Sequence, residues 1–254
     1  MNHPSTTFRV RAYNAAKESE NKIHDDRVAA AYGFRGGLVP GVAVYGYMIP
    51  PVVEYLGRGW LERGAMSLRL VAPCYEGETV VTRCNGSLAT AENESGSLYA
   101  SSLYACGQVS MDPSAGGVPF SFAFHEAPEA NQRPVASSET VVPGKRLGSV
   151  QEKLEVADEV AIPERLLHLA NEILTRNFRM GPWIHAGSEI RHHSPAAAGE
   201  EITASGEIQE CFERKGRRFA IAAIAMSSAD SRPVASVLHT FIYDLGMKPE
   251  FGEK

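Results

Sequence analysis

No apolar run in this chain approaches the ~20 residues that a membrane-crossing helix requires, so a helical membrane span is excluded. The first residues, Met1 to Arg11, are polar and hold no hydrophobic stretch of the signal-peptide kind, which reads as a cytoplasmic protein. Basic excess is also missing: 25 Lys and Arg stand against 30 Asp and Glu, a formal net charge of −5. That balance excludes a strongly basic nucleic-acid-binding domain. Cysteine is scarce. Cys74, Cys84, Cys106 and Cys211 are far apart and form no Cys-x-x-Cys pair. They read as reduced thiols, with neither a disulfide framework nor a zinc site. The Asn-x-Ser triplets at Asn85 and Asn93 then carry no glycosylation meaning.

The chain has 254 residues, 44% of them hydrophobic, enough to bury a core in one large or two small domains. An internal repeat favours two. Trp60 is followed by Arg69, Pro73 and Gly77-Glu78; Trp183 is followed by Arg191, Pro195 and Gly199-Glu200. Both stretches read Arg-x3-Pro-x3-Gly-Glu at an offset of 122 residues, which implies two similar domains and not a solenoid. Gly96 and Gly216 extend the match as hairpin turns at an offset of 120.

Strands rich in Val, Ile, Thr, Tyr and Phe are expected at Phe8–Tyr13, Ala65–Ala72, Glu78–Ala91 and Ser97–Met111. In the second half they are expected at Ile184–His193, Glu201–Glu213, Arg217–Ser227 and Val234–Tyr243. Glu92 to Gly96 and Arg214-Lys215-Gly216 read as the tight turns between them, so pairing should be antiparallel. One long helix precedes the strands of each half. The first, Pro40–Leu56, is apolar on nearly every side from Val42 to Met48 and should be buried all round. Pro50-Pro51 should kink or break it. The second, Pro163–Arg179, opens on a proline suited to the first helical position. Its apolar face runs through Leu167, Ala170, Leu174 and Phe178. A buried helix wrapped by a curved antiparallel sheet, present twice, is an α+β double hotdog pattern. The expected division is an N-terminal unit over residues 1–128, a linker over 129–145 and a C-terminal unit over 146–254. The stretch Asp112–Lys145 has no periodicity, and Gly246–Lys254 reads as a loose tail.

The chemistry concentrates in residues 19–41. Ser19-Glu20-Asn21-Lys22-Ile23-His24-Asp25-Asp26 precedes Tyr32-Gly33-Phe34, and Leu38-Val39-Pro40-Gly41 leads into the first long helix. A short helix over Asp25–Tyr32 fits, with carboxylates at its positive end and Gly33 closing it. The N–H groups at the start of the long helix have no partner within the helix and can polarise a carbonyl oxygen. A histidine just ahead of them suits acid–base work.

This segment resembles the MaoC-like (R)-specific enoyl-CoA hydratase family, whose fold is the hotdog. The family hallmark is Asp-x-Asn-Pro-[Leu/Ile/Val]-His, then Gly-Phe, then a small apolar stretch ending in Gly. Asn21 and Ile23 match, and His24 falls on the catalytic histidine; Asp26, Gly33-Phe34 and Gly41 fall on recurrent positions. Ser19 stands at the family's catalytic Asp, Lys22 at its Pro, and Pro40, with no N–H, precedes the Gly. The resemblance implies a hydratase or dehydratase acting on a 2-enoyl or 3-hydroxyacyl thioester of coenzyme A or an acyl-carrier protein. His24, Asn21, Asp26 and Ser19 would form the catalytic group, and Gly33, Phe34, Val39, Gly41, Val42 and Tyr45 would bind substrate. Glu18, Glu20, Asp25 or Asp26 would substitute for the missing acid. Other readings of the same scaffold are a hotdog thioesterase, a non-catalytic acyl-binding subunit, and an enzyme repurposed for a non-thioester biosynthetic substrate. No cofactor, metal, nucleic acid or membrane is implied, and the chain would pair as a homodimer of double hotdogs.

Several residues have simpler readings. Tyr45 and Tyr47 fill core or line a pocket. Arg69 and Arg191 recur in both halves, which points to bracing. His192 and His193 face opposite sides of a strand, and neither they nor His185 and His239 show metal-ligand spacing. The glycines at 33, 36, 37 and 41 lack the Lys-Ser/Thr and βαβ setting of a phosphate loop. Arg214, Lys215, Arg217 and Arg218 form a basic hairpin tip, either a solvated turn or a contact for coenzyme A phosphates, and the tip matched to it in the first half is acidic. The second half has no counterpart of Asn21–His24, since Asp158–Ile162 runs straight into Pro163. It therefore reads as structure and pocket wall.

Overall fold

A computed structural model describes residues 6–94, 103–112, 119–154, 163–197 and 199–246. Ten strands form one sheet: β1 (Thr6–Arg11), β2 (Ala65–Leu70), β3 (Thr79–Asn85), β4 (Leu88–Asn93), β5 (Leu103–Ser110), β6 (Arg146–Lys153), β7 (Ile184–His192), β8 (Glu201–Arg214), β9 (Arg217–Ser228) and β10 (Pro233–Asp244). Their spatial order is β1-β3-β4-β5-β2-β7-β10-β9-β8-β6, and every pair of neighbouring strands is antiparallel. Read inward from either edge, the first five strands and the last five have the same order. The sequence repeat is therefore a topological one.

The halves meet at β2 and β7. Ser67 lies opposite Glu189, Ala65 opposite Arg191 and Arg69 opposite Gly187. Ser67 and Glu189 are equivalent positions of the repeat, so the pairing is self-complementary, as an isologous contact between two like units requires. Each repeated arginine lies across from a small residue. Arg191 also donates from Nη1 to the Asp112 carbonyl at 2.7 Å. Gly187 is required at this seam, because a Cβ there would lie 2.6 Å from the Leu68 carbonyl oxygen.

The Arg-x3-Pro-x3-Gly-Glu motif forms the same turn twice. Gly77 and Gly199 hold φ of 82° and 72°. The Glu78 carboxylate accepts from the Tyr75 N–H at 2.9 Å and Glu200 from the Ala197 N–H at 2.8 Å. The turn spacing explains why the residues recur.

The described residues also hold four α-helices: α1 (Asp26–Ala31), α2 (Gly41–Leu56), α3 (Trp60–Arg63) and α4 (Pro163–Asn177). The long helices α2 and α4 lie on one side of the sheet, each against strands of its own half, and touch one another. Gly46 faces the Glu164 side chain there, so the helices approach closely. No helix among the described residues is long and apolar enough to cross a membrane.

Several expectations are corrected. Helix α2 runs on through Pro50 and Pro51 without a break. Each interior proline costs about 3 kcal/mol, but Met48, Ile49, Pro51 and Val52 are buried, and full burial of an apolar side chain of that size is worth ~1.5–3 kcal/mol. Nor is α2 buried all round. Ala43, Gly46 and Tyr47 are half-buried and Pro50 is exposed, one stripe at helical spacing on the side turned to α4. The stretch Glu78–Ala91 is two strands, divided at Gly86 with φ of 63°. The counterpart of the Lys215-Gly216 tip between β8 and β9 is thus the Gly86 turn between β3 and β4, and the acidic stretch before Gly96 is not its match. Strand β6 went unforeseen because Arg146-Leu147-Gly148-Ser149 has little β-forming character. Ser97–Ser102, Gly96, Asp158–Ile162 and the tail beyond Gly246 lie outside the described residues.

Candidate active site

The site grows out of the loop between β1 and α2. Asn21 caps a 3₁₀ turn over Lys22–His24, its side chain accepting from the Ile23 N–H. Asp25 then caps α1, accepting from the Val28 N–H at 2.9 Å, and Gly33 leaves α1 with φ of 83°. Ile23, Ala29 and Leu38 pack with Ile242 and Leu245, which anchors the loop on the second half of the sheet.

His24 is positioned at both ring nitrogens. Nδ1 lies 2.7 Å from the Leu38 carbonyl oxygen. A carbonyl only accepts, so Nδ1 carries the proton and Nε2 the lone pair. Nε2 lies 3.3 Å from the Asn21 side-chain nitrogen. Burial lowers the His24 pKa, against a smaller opposite pull from the Leu38 carbonyl. The imidazole is therefore neutral near pH 7, with its Nε2 lone pair turned to the Asn21 amide.

Asn21 is bonded in every direction. Its Nδ2 donates to the Trp183 carbonyl at 3.0 Å and its Oδ1 accepts from the Trp183 N–H at 3.1 Å. The second Nδ2 hydrogen reaches His24. Asn21 thus ties the histidine of the first half to the backbone of the second.

Two cavities meet at these residues. An apolar one of about 180 Å³ lies among Phe34, Leu38, Gly41, Val44, Leu70 and Ile184. A polar one of about 590 Å³ lies between the 15–24 loop and the outer face of α4, where Arg133, Arg165, Arg176, Glu164 and Glu172 surround it. Asn21, His24, Pro40, Asn171 and Trp183 line both. Gly41, at the first position of α2, also borders the apolar cavity. Neither the Gly41 N–H nor the Val42 N–H has a hydrogen-bond partner among the described residues, as helix geometry leaves them. A Cβ on Gly41 would lie 2.3 Å from Leu70 Cδ1 and 2.8 Å from His185 Nδ1.

The residues singled out from the sequence fall into three places. His24 and Asn21 form the junction, with Val39, Phe34 and Gly41 on the apolar wall. Val42 and Ser19 lie on the polar wall. Ser19 Oγ approaches the Asn21 carbonyl at 3.4 Å and carries no acid function. Asp26, Gly33 and Tyr45 border neither cavity. The Asp26 carboxylate accepts from the Gly37 N–H at 2.7 Å and holds the loop. Tyr45 is fully buried, its hydroxyl without a partner among the described residues. Asp25 caps α1, and Glu20 accepts from both Nη1 and Nη2 of Arg133 at 3.1 and 3.2 Å; Glu18 is exposed and borders neither cavity. Among the described residues no carboxylate is hydrogen-bonded to His24.

Sequence reasoning read the second half as pocket wall but named none of its residues as part of the site. Asn171 and His168, on one stripe of α4, and Trp183 and His185, at the start of β7, all border the junction. Buried polar atoms of these residues, Asn171 Oδ1, His168 Nδ1 and Trp183 Nε1, have no partner among the described residues. The signal was present as polar residues at helical spacing beside the apolar face of α4, at positions 164, 168, 171 and 175. Burial holds the Glu164 carboxyl above its ordinary range, with Arg165 pulling the other way.

No family model matches the chain, and no curated protein does either. Solved structures do. A protein of Chloroflexus aurantiacus assigned to the MaoC domain dehydratases superposes with a TM-score of 0.64 at 12% identity, covering 96% of this chain and 95% of that one. A conserved protein of Mycobacterium tuberculosis with a double hotdog fold gives 0.66 at 13% identity, covering 94% and 96%. A protein of Lactobacillus plantarum assigned as an oleoyl thioesterase gives 0.56 at 10%, covering 94% and 96%. At these identities the likeness is one of fold. The chain has the double hotdog fold seen in MaoC-like dehydratases, and fold alone does not choose between dehydratase and thioesterase.

Proposed function

We propose that this protein is a hydratase or dehydratase of acyl thioesters in which His24 is the sole acid–base group. The observation behind it is the place of His24: neutral, of fixed tautomer, at the junction of an apolar and a polar cavity beside the free N–H groups of α2. The acyl group fits the apolar cavity, and the carrier arm leaves through the polar one. The thioester carbonyl oxygen accepts from the Gly41 or Val42 N–H, which stabilises the enolate formed in the transition state. In hydration, the reacting water takes the place of the Asn21 amide at His24 Nε2, which removes its proton as the water oxygen bonds to C3. The electron pair of the double bond moves toward the carbonyl, and the imidazolium returns the proton to C2. Dehydration is the reverse: Nε2 removes the C2 proton and delivers it to the departing C3 hydroxyl. Atoms and charge balance without a second acid.

One observation favours a different class. His24 has no carboxylate partner, and Ser19 replaces the acid of the family pattern. A non-catalytic acyl-binding subunit would show these features too. The test follows the enoyl absorbance of but-2-enoyl- and oct-2-enoyl-CoA with a thiol reagent present, on wild type, His24→Ala and Ser19→Asp. Loss of absorbance without thiol release, abolished by His24→Ala, is the expected result. Thiol release would establish a thioesterase. Activity gained only in Ser19→Asp would establish a binding protein on a hydratase scaffold.

A further inference from the structure

The apolar cavity carries one residue of fixed charge. Among the described residues that line it there is no Asp, Glu or Lys, and its one arginine is Arg217. Arg217 borders this cavity and not the polar one, so it stands apart from the junction where His24 sits. It opens β9, two residues before Phe219. Side chains two apart on a strand share a face. Phe219 packs against Ile23, Leu38 and Ile242, which line the cavity, so the Arg217 side chain is on the cavity side of the sheet. The residue is exposed, which sets it at the mouth with its charged head in water.

Its neighbour Arg218 lies 3.9 Å from the Asp244 carboxylate. Arg217 itself has no hydrogen bond or ion pair among the described residues. The turn adds a second charge. Lys215 and Gly216, with φ of 52° and 69°, form a two-residue hairpin loop, and it sets Arg214 directly opposite Arg217. Residues so opposed share a face, and like charges there repel. Arg214 also has no partner among the described residues. Beside them the rings of Phe212 and Phe219 stack with centroids 5.0 Å apart, which holds the two strands in register. Two guanidinium groups kept side by side at the mouth of an apolar cavity are stabilised by an anion between them.

The size of the cavity says which anion. Its volume of about 180 Å³ is little more than the ~150 Å³ that encloses benzene, so it takes a chain of about six carbon atoms. The long arm of coenzyme A, with its phosphates, needs the polar cavity of about 590 Å³. The anion at Arg217 then belongs to the acyl group. We propose that Arg217, with Arg214 beside it, binds a carboxylate at the far end of a short acyl chain, so that the substrate is the mono-thioester of an unsaturated dicarboxylic acid. This rests on the functional reading above: the thioester lies at the junction beside His24 and the carboxylate at the mouth. The planar guanidinium meets the carboxylate with two parallel N–H donors. Both ions keep part of their hydration there, so the pair selects among acyl groups without a large desolvation cost.

Two saturated thioesters, which cannot be hydrated, are the probes: adipyl-CoA, which ends in a carboxylate, and hexanoyl-CoA, of the same length, which ends in a methyl group. Dissociation constants are measured by titration calorimetry on wild type and Arg217→Gln, with a thermal melt as the fold control. Should Arg217→Gln fail to fold, Arg217→Met, which keeps the apolar stem, replaces it. Wild type should bind adipyl-CoA about 10-fold more tightly than hexanoyl-CoA. In Arg217→Gln the ratio should fall to near one, through lost affinity for adipyl-CoA. Turnover of the mono-CoA ester of hex-2-enedioic acid against hex-2-enoyl-CoA should show the same preference in kcat/KM. Equal affinity of wild type for the two probes overturns the inference, as does a preference that survives Arg217→Gln. Equal weakening of both probes in Arg217→Gln overturns it too, and assigns the arginine to the phosphates of coenzyme A. A preference that Arg217→Gln abolishes, in a protein that hydrates neither enoyl thioester, upholds the carboxylate site and refutes the hydratase reading alone.

Discussion

The side chain of Asn21 closes a ring of two hydrogen bonds with the backbone of Trp183, a residue 162 positions later in the chain. Its other two bonds reach the Ile23 N–H and His24. One buried amide thus fixes the base, the 3₁₀ turn that bears it and the docking of the motif loop on the second half.

Removing that amide should cost stability as well as activity. In Asn21→Ala the Trp183 N–H and carbonyl lose their partner, and each unsatisfied buried group costs ~1–3 kcal/mol. Unfolding free energy from urea titration should drop by about 2–4 kcal/mol. A drop below ~0.5 kcal/mol would show that water replaces the amide, and that the ring is not structural.

His24→Ala should leave stability nearly unchanged, because the ring is only partly enclosed and borders both cavities. Hydration should slow by about 10²–10⁴-fold, the range of a general acid–base group. The rate on but-2-enoyl-CoA checks this, with a thermal melt as control. A rate within a factor of three of wild type would remove His24 from the chemistry.

Acid should unfold the protein early. Burial holds His185 and His192 at about 4 and His239 well below its ordinary value, whereas an unfolded histidine titrates near 6.5. Between ~4 and ~6.5 the unfolded chain binds more protons than the folded one, so stability rises with pH in that window. It is complete above ~6.5 and is lost as pH falls toward 4, by ~1.4 kcal/mol per pH unit for each histidine. In His192→Phe, which keeps an aromatic ring edge-on to Trp60 where the imidazole lies 5.2 Å away, the slope should drop by one proton. Thermal midpoints between pH 4.5 and 7.5 measure it. An unchanged slope would place His192 in contact with water.

The seam between the halves should tolerate no side chain at Gly187. A Cβ there meets the Leu68 carbonyl oxygen at 2.6 Å, a backbone atom that cannot move aside alone. Gly187→Ala should cost about 1–3 kcal/mol or more. Gly181→Ala, where nothing lies within 4 Å of the added carbon, should change stability by less than ~0.5 kcal/mol. Equal effects at both positions would mean that β2 and β7 part easily.

Local chemistry was legible in the sequence. The repeated Arg-x3-Pro-x3-Gly-Glu could be read because each copy is a self-contained turn: the glycine takes a positive φ and the glutamate caps an N–H three residues back. Both long helices could be read from apolar spacing and from the prolines ahead of them. Asn21 and His24 stood out because their types and spacing set a turn and an imidazole ahead of a helix start. The matching of Gly96 with Gly216 failed because a glycine reports a turn and not which strands the turn joins.

By itself, the sequence determined the two-unit plan, the helix starts and the short loop that holds His24. These depend on contacts within a few residues, which spacing and residue type encode. Only the tertiary structure decided what surrounds that loop. It brought Trp183 to Asn21, Asn171 and His168 to the cavity, and His185 to Gly41. It also turned Asp26 onto the Gly37 backbone, away from the histidine. Those outcomes depend on the register between β2 and β7 and on the close approach of two helices, and neither leaves a periodic trace in the chain. An acid–base residue is identified by its neighbours in space, and here half of them come from the unit that lacks the motif.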